Sequence, residues 1–201
     1  MCGRFYVAIT ENELLDVVKE VEKDMRDRYR GLTLKTFGEI YPGDIVPVFV
    51  GANNGKPMKW GFGSIAGKLV INARSETAHE KPMFKEAMGK RRCLIPASAY
   101  YEWSPKRDGK PKTKYTFHRP NEMLYLAGCY REEKDSPLPT FVILTRNAVD
   151  DLLAIHDRMP VLIPKAKIGD WFAGKDILSD ALTEVEYHEA AGDGYQMKME
   201  F

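Results

Sequence analysis

The sequence predicts an α+β fold: a single domain on a curved, mainly antiparallel, barrel-like β-sheet with flanking helices. Three observations carry this expectation. Strand-like segments outnumber helical ones along the 201 residues. Several alternate apolar and polar residues as half-buried strands do. Few strand–helix–strand units, the building blocks of a parallel sheet, can be drawn. The hydrophobic content of 44% is enough for one sizeable core, and the length favours one domain, residues 1–201, over two.

The elements follow in order. Residues 3–8 read as a short strand. Thr10 with Glu13 forms a capping box, and Leu14, Val18, Val21 and Met25 follow at helical spacing. Pro42-Gly43 marks a turn. Strands are expected at 45–50, 57–62 and 68–72, and a helix interrupted at Pro82 over 76–88. Residues 92–95 and 98–104 are strands around Pro96, and 112–118, 123–131 and 140–145 alternate as antiparallel strands. A short helix at 149–154, a strand at 160–163, a helix at 168–172 and late strands complete the chain.

Charge and cysteine usage narrow the function. Thirty Lys and Arg against 29 Asp and Glu give a net charge of +1, so any nucleic-acid site must be a local patch rather than a whole-protein field. Three cysteines without metal-type spacing make no disulfide framework, which points to a reduced, cytoplasmic setting. The start MCGRFYVAIT lacks the basic-then-apolar pattern of a signal peptide. No run of about 18 apolar residues predicts a membrane helix. No zinc, Walker A, dinucleotide or GxSxG signature occurs, and neither metal nor cofactor is expected.

Cys2 is the most informative residue. Cysteine is small enough for Met1 to be removed, which would expose Cys2 as an N-terminal aminothiol. Reference pKa values of about 8 for the amine and about 8.5 for the thiol leave both partly nucleophilic near neutral pH. An aldehyde condenses with such an amine to an imine, and the neighbouring thiol closes a thiazolidine ring. Alternatively the thiolate attacks an acyl carbon with the amine as base. Position alone leaves a chance cysteine equally open. Cys93 and Cys129 lie in apolar strand patterns and read as buried small hydrophobes.

Other segments offer partners. VINARSE places Asn72, Arg74 and Glu76 on one face of an extended segment. Its amide and guanidinium suit an oxyanion or a phosphate, although an exposed polar strand face explains it as well. Glu102 stands between Tyr101 and Trp103, where desolvation would keep a carboxylate partly protonated for acid–base work; a surface Glu is the plainer reading. Trp103 suits stacking on a base, and Trp60 is either core or a stacking platform. His156, beside Asp157 and Arg158, is a candidate proton shuttle, or part of a loop tied down by an ion pair. Lys106, Arg107, Lys110, Lys112 and Lys114, with the KRR run at 90–92, could contact phosphates or form solvated turns.

Together, MCGRF, WGF at Trp60, NARSET at Asn72, RCLIPASAYYEW ending at Trp103, LTRNA at Leu144 and IHDRMPVLI at Ile155 resemble the SOS response-associated peptidase family over essentially the whole chain. The resemblance implies a β-rich α+β domain with a positively charged groove. It also implies covalent capture of abasic sites in single-stranded DNA through a thiazolidine, and peptidase-like self-processing. By motif position, Cys2 is the nucleophile, Asn72 and Arg74 hold the lesion and its phosphate, Glu102 is the acid–base residue, His156 promotes ring opening or imine chemistry, and Arg4 lines the groove. The expected partner is abasic single-stranded DNA in a replication and nucleoid setting, with no protein partner identifiable.

Two departures stand out. Glu39-Ile40-Tyr41-Pro42 replaces the family's usual Asn-x-x-Pro, and a carboxylate there should repel phosphate. The segment GSIAGKLVI after Phe62 is short, which implies weaker stacking on one side of the lesion. The main alternatives are an N-terminal-nucleophile amidohydrolase, since class II glutamine amidotransferases also begin Met-Cys-Gly, and a non-catalytic single-strand-binding module.

Overall fold

The chain opens with strand β1 (Phe5–Ala8) and helix α1 (Asn12–Arg28), followed by strands β2 (Phe37–Ile40), β3 (Ile45–Gly51), β4 (Asn54–Trp60) and β5 (Asn72–Arg74). Helix α2 (Pro82–Lys90) leads to β6 (Arg92–Ala97), β7 (Ala99–Trp103), β8 (Lys114–His118), β9 (Leu124–Arg131) and β10 (Thr140–Asn147). A 3₁₀ turn at Asp150–Ala154 precedes β11 (Arg158–Pro160), helix α3 (Ile168–Phe172) and β12 (Glu186–Glu189). The computed structural model describes residues 2–9, 12–63, 67–105 and 112–190, apart from the side chains at 12, 13 and 150. The Thr10–Glu13 capping box, part of the short segment after Phe62, and Lys106, Arg107 and Lys110 lie outside the described residues.

Two sheets organise these strands. One runs β12-β8-β7-β1-β2, and the other β11-β10-β4-β3-β6-β9. Because β10 also pairs with β9, strands β4, β3, β6, β9 and β10 close into a ring. Pairings between named strands are antiparallel except those of β10 with β4 and with β5. The expected α+β class with a curved, barrel-like, mainly antiparallel sheet is what the chain adopts. One continuous stretch serves both sheets: β6 lies in the ring, β7 in the other sheet, and Ser98 joins them. The Ser98 hydroxyl accepts the Ala8 amide at 3.0 Å and donates to the Ala8 carbonyl at 3.1 Å, pinning the crossover to β1.

Local chemistry explains most boundaries. Helix α1 buries Leu14, Val17, Val18, Val21 and Met25 as one apolar stripe, and Arg26 and Arg28 in its last turn complement the helix dipole. It lies close on β4 because position 55 is glycine: a β-carbon there would meet Val17 at 2.7 Å and Val21 at 2.9 Å. The helix expected from residue 76 starts instead at Pro82. Lys81 before it is extended (φ −67°, ψ 126°), because a following proline disfavours helical backbone while proline itself suits the first helical position. Strand β2, absent from the sequence reading, is a four-residue sheet edge with Gly38 at φ +95° and an exposed Phe37.

The core settles two expectations. Cys93 and Cys129 are buried free thiols, as their apolar setting suggested. Trp60 has no exposed surface: it packs on Phe5 (5.0 Å between centroids) and stacks on Phe141 (6.3 Å), and its indole N–H donates to the Ile71 carbonyl at 3.0 Å. The reading of Trp60 as a DNA-stacking platform is therefore corrected to a core role, since a ring with no accessible face has nowhere to stack a base. Among the described residues no helix is long and apolar enough to cross a membrane.

Strand β9 is hemmed in on both edges, with Gly128 opposite Cys93 of β6 and Ile143 of β10. A β-carbon at Gly128 would sit 2.6 Å from the Val142 carbonyl oxygen, 2.9 Å from Ile95 and 3.0 Å from the Cys93 sulfur. Backbone cannot yield as a side-chain tip can. Gly128→Ala is expected to destabilise the fold by about 2 kcal/mol or more, measured by denaturant unfolding. A loss below about 0.5 kcal/mol would show that the ring is looser than drawn.

Candidate active site

The site forms where the two sheets meet. Cys2 leads into β1 and Glu102 lies on β7, both of the five-stranded sheet. Asn72 begins β5 and His156 precedes β11, both attached to β10 of the ring. The Asn72 amide donates to the Cys2 carbonyl at 2.9 Å, tying the N-terminal segment to β5. The other amide atom of Asn72, Oδ1, is buried and has no hydrogen-bond partner among the described residues. It is a buried acceptor next to the Cys2 backbone, at a cost normally tolerated only where a further donor arrives.

Glu102 is 3% exposed, and burial pushes its carboxyl up to about 7. The source of that burial corrects the sequence reading. Side chains alternate along a strand, so Tyr101 and Trp103 point to the opposite face of β7 and stack with Lys114 and Arg4 there. The aromatic sharing the face of Glu102 is Tyr100, 1% exposed. Burial holds its phenol well above its ordinary range, and the charges of Cys2 and Glu102 push it further. The hydroxyl of Tyr100 is buried without a hydrogen-bond partner among the described residues. Sequence reasoning missed Tyr100; strand alternation from Glu102 was the signal that could have found it.

Cys2 is completely buried. Burial raises its thiol far above the ordinary cysteine value, and the Glu102 charge adds to the shift. The thiol therefore rests protonated, with the sulfur 3.8 Å from the Arg4 carbonyl oxygen, and needs a base when it reacts.

His156 brings a second titratable group to the site. Its Nε2 lies 3.8 Å from Glu102 Oε2, beyond a direct hydrogen bond but within reach of one small shift. Burial lowers its basicity, so the neutral ring prevails near pH 7. Its Nδ1 accepts the Arg158 amide at 3.0 Å, which places the proton on Nε2, facing Glu102. Asp157 Oδ1 lies 2.9 Å from the same Nδ1; that contact becomes a donor–acceptor pair only when the ring takes a second proton.

The loop carrying His156 is anchored by the residue after Asp157. Arg158 is 7% exposed and donates to both Glu76 oxygens at 2.7 and 2.8 Å, and to the Thr145 carbonyl at 2.6 Å. The guanidinium hydrogen bonds pull the Glu76 carboxyl down to about 2. Of the three residues expected on one face of 72–76, Asn72 reaches Cys2, Arg74 is exposed, and Glu76 serves this clamp. Glu102, His156, Trp103 and Lys112 border a cleft of about 800 Å³ together with Leu153, Ala154 and Ile155.

Arg4 lies on the outer face of the same sheet. Its guanidinium sits between the rings of Tyr41 (4.3 Å) and Trp103 (5.0 Å) and pairs with Glu39 at 3.3 Å. The carboxylate expected to repel phosphate is thus a liganded one, contacted also by Lys114 and the Tyr41 hydroxyl.

Known proteins resemble the chain over most of its length. The family model for SOS response associated peptidase (SRAP) matches residues 1–199. The chain is 30% identical over 204 residues to the abasic site processing protein YoqW of Bacillus subtilis (strain 168), covering 90% of this chain and 84% of that protein. It is 28% identical over 180 residues to the abasic site processing protein YedK of Escherichia coli (strain K12), covering 85% and 79%. A crystal structure of a protein from Bacteroides thetaiotaomicron superimposes with a TM-score of 0.73 at 21% identity, over 96% of this chain and 93% of that one, and so shares the fold. The chain belongs to the SOS response associated peptidase family.

Proposed function

We propose that the protein captures abasic sites in single-stranded DNA as a covalent thiazolidine on Cys2, after loss of Met1. The observation that carries this reading is the convergence of the second residue of the chain with a buried carboxyl poised near neutral pH. Cys2 would attack the ring-opened sugar aldehyde with its α-amine, giving a carbinolamine that loses water to become an imine. The thiol then adds to the imine carbon, its proton passes to nitrogen, and the five-membered ring closes. One water leaves overall.

Both proton transfers need a group that is acid in one step and base in the next. Glu102, with a pKa of about 7, holds both forms at neutral pH, as general acid–base catalysis requires. Its acid form delivers a proton to the departing hydroxyl, and its carboxylate takes the proton of the high-pKa thiol. In this reading His156 Nε2–H promotes opening of the sugar ring. An imine alone is reversible and serves as the electron sink for β-elimination and strand breakage; adding the thiol removes that sink. In this reading Asn72 orients the Cys2 backbone, Arg74 grips a phosphate, and Trp103 stacks on a base beside the lesion. Self-removal of Met1, in which the Cys2 thiol takes the Met1 acyl group from its own amide nitrogen and water then cleaves the thioester to release methionine and the free aminothiol, is a compatible earlier step.

Cys2→Ala should abolish a crosslink that survives denaturing electrophoresis while retaining non-covalent binding; crosslinking at the parent rate by that variant would end the aminothiol account. Single-stranded abasic DNA should bind better than duplex, because stacking needs unpaired bases, and equal affinities at one salt concentration would contradict this. Arg74→Ala should weaken binding and flatten the logarithmic salt dependence by about 0.7, one phosphate's share on a single strand, without a separate effect on the rate of the bound complex.

Glu102→Gln should slow crosslinking by roughly 10²–10⁴-fold at nearly unchanged affinity. It should also stabilise the fold above neutrality. A carboxyl raised in the folded state contributes its stability below the unfolded value near 4.5 and loses it as pH climbs through about 7. At pH 8 a neutral Gln should therefore gain on the order of 3 kcal/mol, an advantage that disappears near pH 4. Urea unfolding at the two pH values reads this directly, and a Glu102→Gln protein less stable than the parent at pH 8 would refute the desolvation argument.

A further inference from the structure

The cluster on the outer face of the five-stranded sheet carries an inference beyond the chemistry at Cys2. Glu39 receives three donors: Arg4 at 3.3 Å, the Tyr41 hydroxyl at 2.8 Å, and Lys114. A DNA phosphodiester presents the same features, two oxygens sharing one negative charge, so donors that satisfy this carboxylate suit a phosphate. The cations have ring contacts besides Glu39. Arg4 is held between the Tyr41 and Trp103 rings, and the Lys114 ammonium lies 3.9 Å above the ring of Tyr101. Glu39 itself sits on β2, the open edge of its sheet, where its side chain can turn away without breaking a core.

We propose that Glu39 is an intrachain competitor for a phosphate seat made by Arg4, Lys114 and Tyr41, displaced when a backbone phosphate of the DNA enters. This rests on reading the chain as a binder of single-stranded DNA. Burial opposes the Glu39 charge, but hydrogen bonds from Lys114 and Tyr41 outweigh it and keep the carboxyl below its ordinary value. The seat is therefore occupied near neutral pH whenever DNA is absent. Non-covalent attraction to any strand is reduced, lesion or not, and retention is left to the covalent step.

The test uses full-length protein carrying Cys2→Ala, with or without Glu39→Gln. Fluorescence anisotropy follows binding to a labelled single strand containing a tetrahydrofuran abasic analogue, and to its undamaged counterpart, over a series of salt concentrations. Glu39→Gln should tighten both by about five- to tenfold at low salt and steepen the logarithmic salt slope by about 0.7. The gain should vanish when Arg4 and Lys114 are both alanine. Glu39→Asp, which keeps the charge but shortens its reach, should show a smaller gain, and melting curves check that each variant folds. If the parent binds and neither Glu39 variant binds more tightly, Glu39 is a tether of the edge strand and the competitor idea is overturned. If neither the parent nor Glu39→Gln binds either strand, the DNA reading fails and this inference falls with it.

Discussion

Glu102 carries a carboxyl group with 3% of its surface exposed on a strand whose inner face is core. Burying such a group in ionised form is costly, and the protein answers by raising its pKa to about 7 rather than by pairing it with an arginine. The surroundings follow from that choice. The two arginines placed within the neighbouring segments are each directed elsewhere, Arg158 to Glu76 and Arg4 to Glu39. A guanidinium there would add to the lowering that the N-terminal ammonium already exerts on Glu102, which burial outweighs. The neutral His156 ring at 3.8 Å adds a proton donor without that penalty. The same burial keeps the Cys2 thiol protonated, so in the proposed reaction the thiol needs a base, and a carboxyl near 7 would supply one at neutral pH.

The fold supplies this dry position through the β6–β7 crossover. A strand that runs from the closed ring into the second sheet carries Tyr100 and Glu102 along the seam between them, and Ser98 fixes where the change occurs. The seam gathers residues far apart in sequence, with Cys2 from the first sheet and Asn72 from the second joined by one 2.9 Å hydrogen bond. The Arg158–Glu76 clamp performs the matching task for His156, because it spans from the β11 end of the loop to the segment after β5.

Much of this was legible in the chain. Apolar spacing located α1, and alternation located β8, β9 and β10, because both patterns report apolar residues that the fold buries. Cys2, Asn72, Glu102 and His156 were named from residue chemistry and family motifs, and all four gather at the seam. What was not legible depended on three-dimensional placement. Strand β2 contains Gly38 and Glu39 on a sheet edge and shows little apolar pattern. Trp60 offered two readings that only its burial separates. The aromatics around Glu102 were taken from its sequence neighbours, yet a pleated strand sends Tyr101 and Trp103 to the other face. Glu39 was expected to repel phosphate because sequence shows its charge but not the Arg4, Lys114 and Tyr41 groups that surround it.

The central claim is that the α-amine and thiol of Cys2 act together. Its most direct test is peptide mass mapping of the protein after reaction with abasic single-stranded DNA and nuclease digestion, without borohydride. The account predicts Met1 absent and a deoxyribose-phosphate remnant, attached with loss of one water, on the peptide that begins with Cys2. An adduct that appears only after borohydride reduction, or one mapped to a lysine while Cys2 is unmodified, would contradict it.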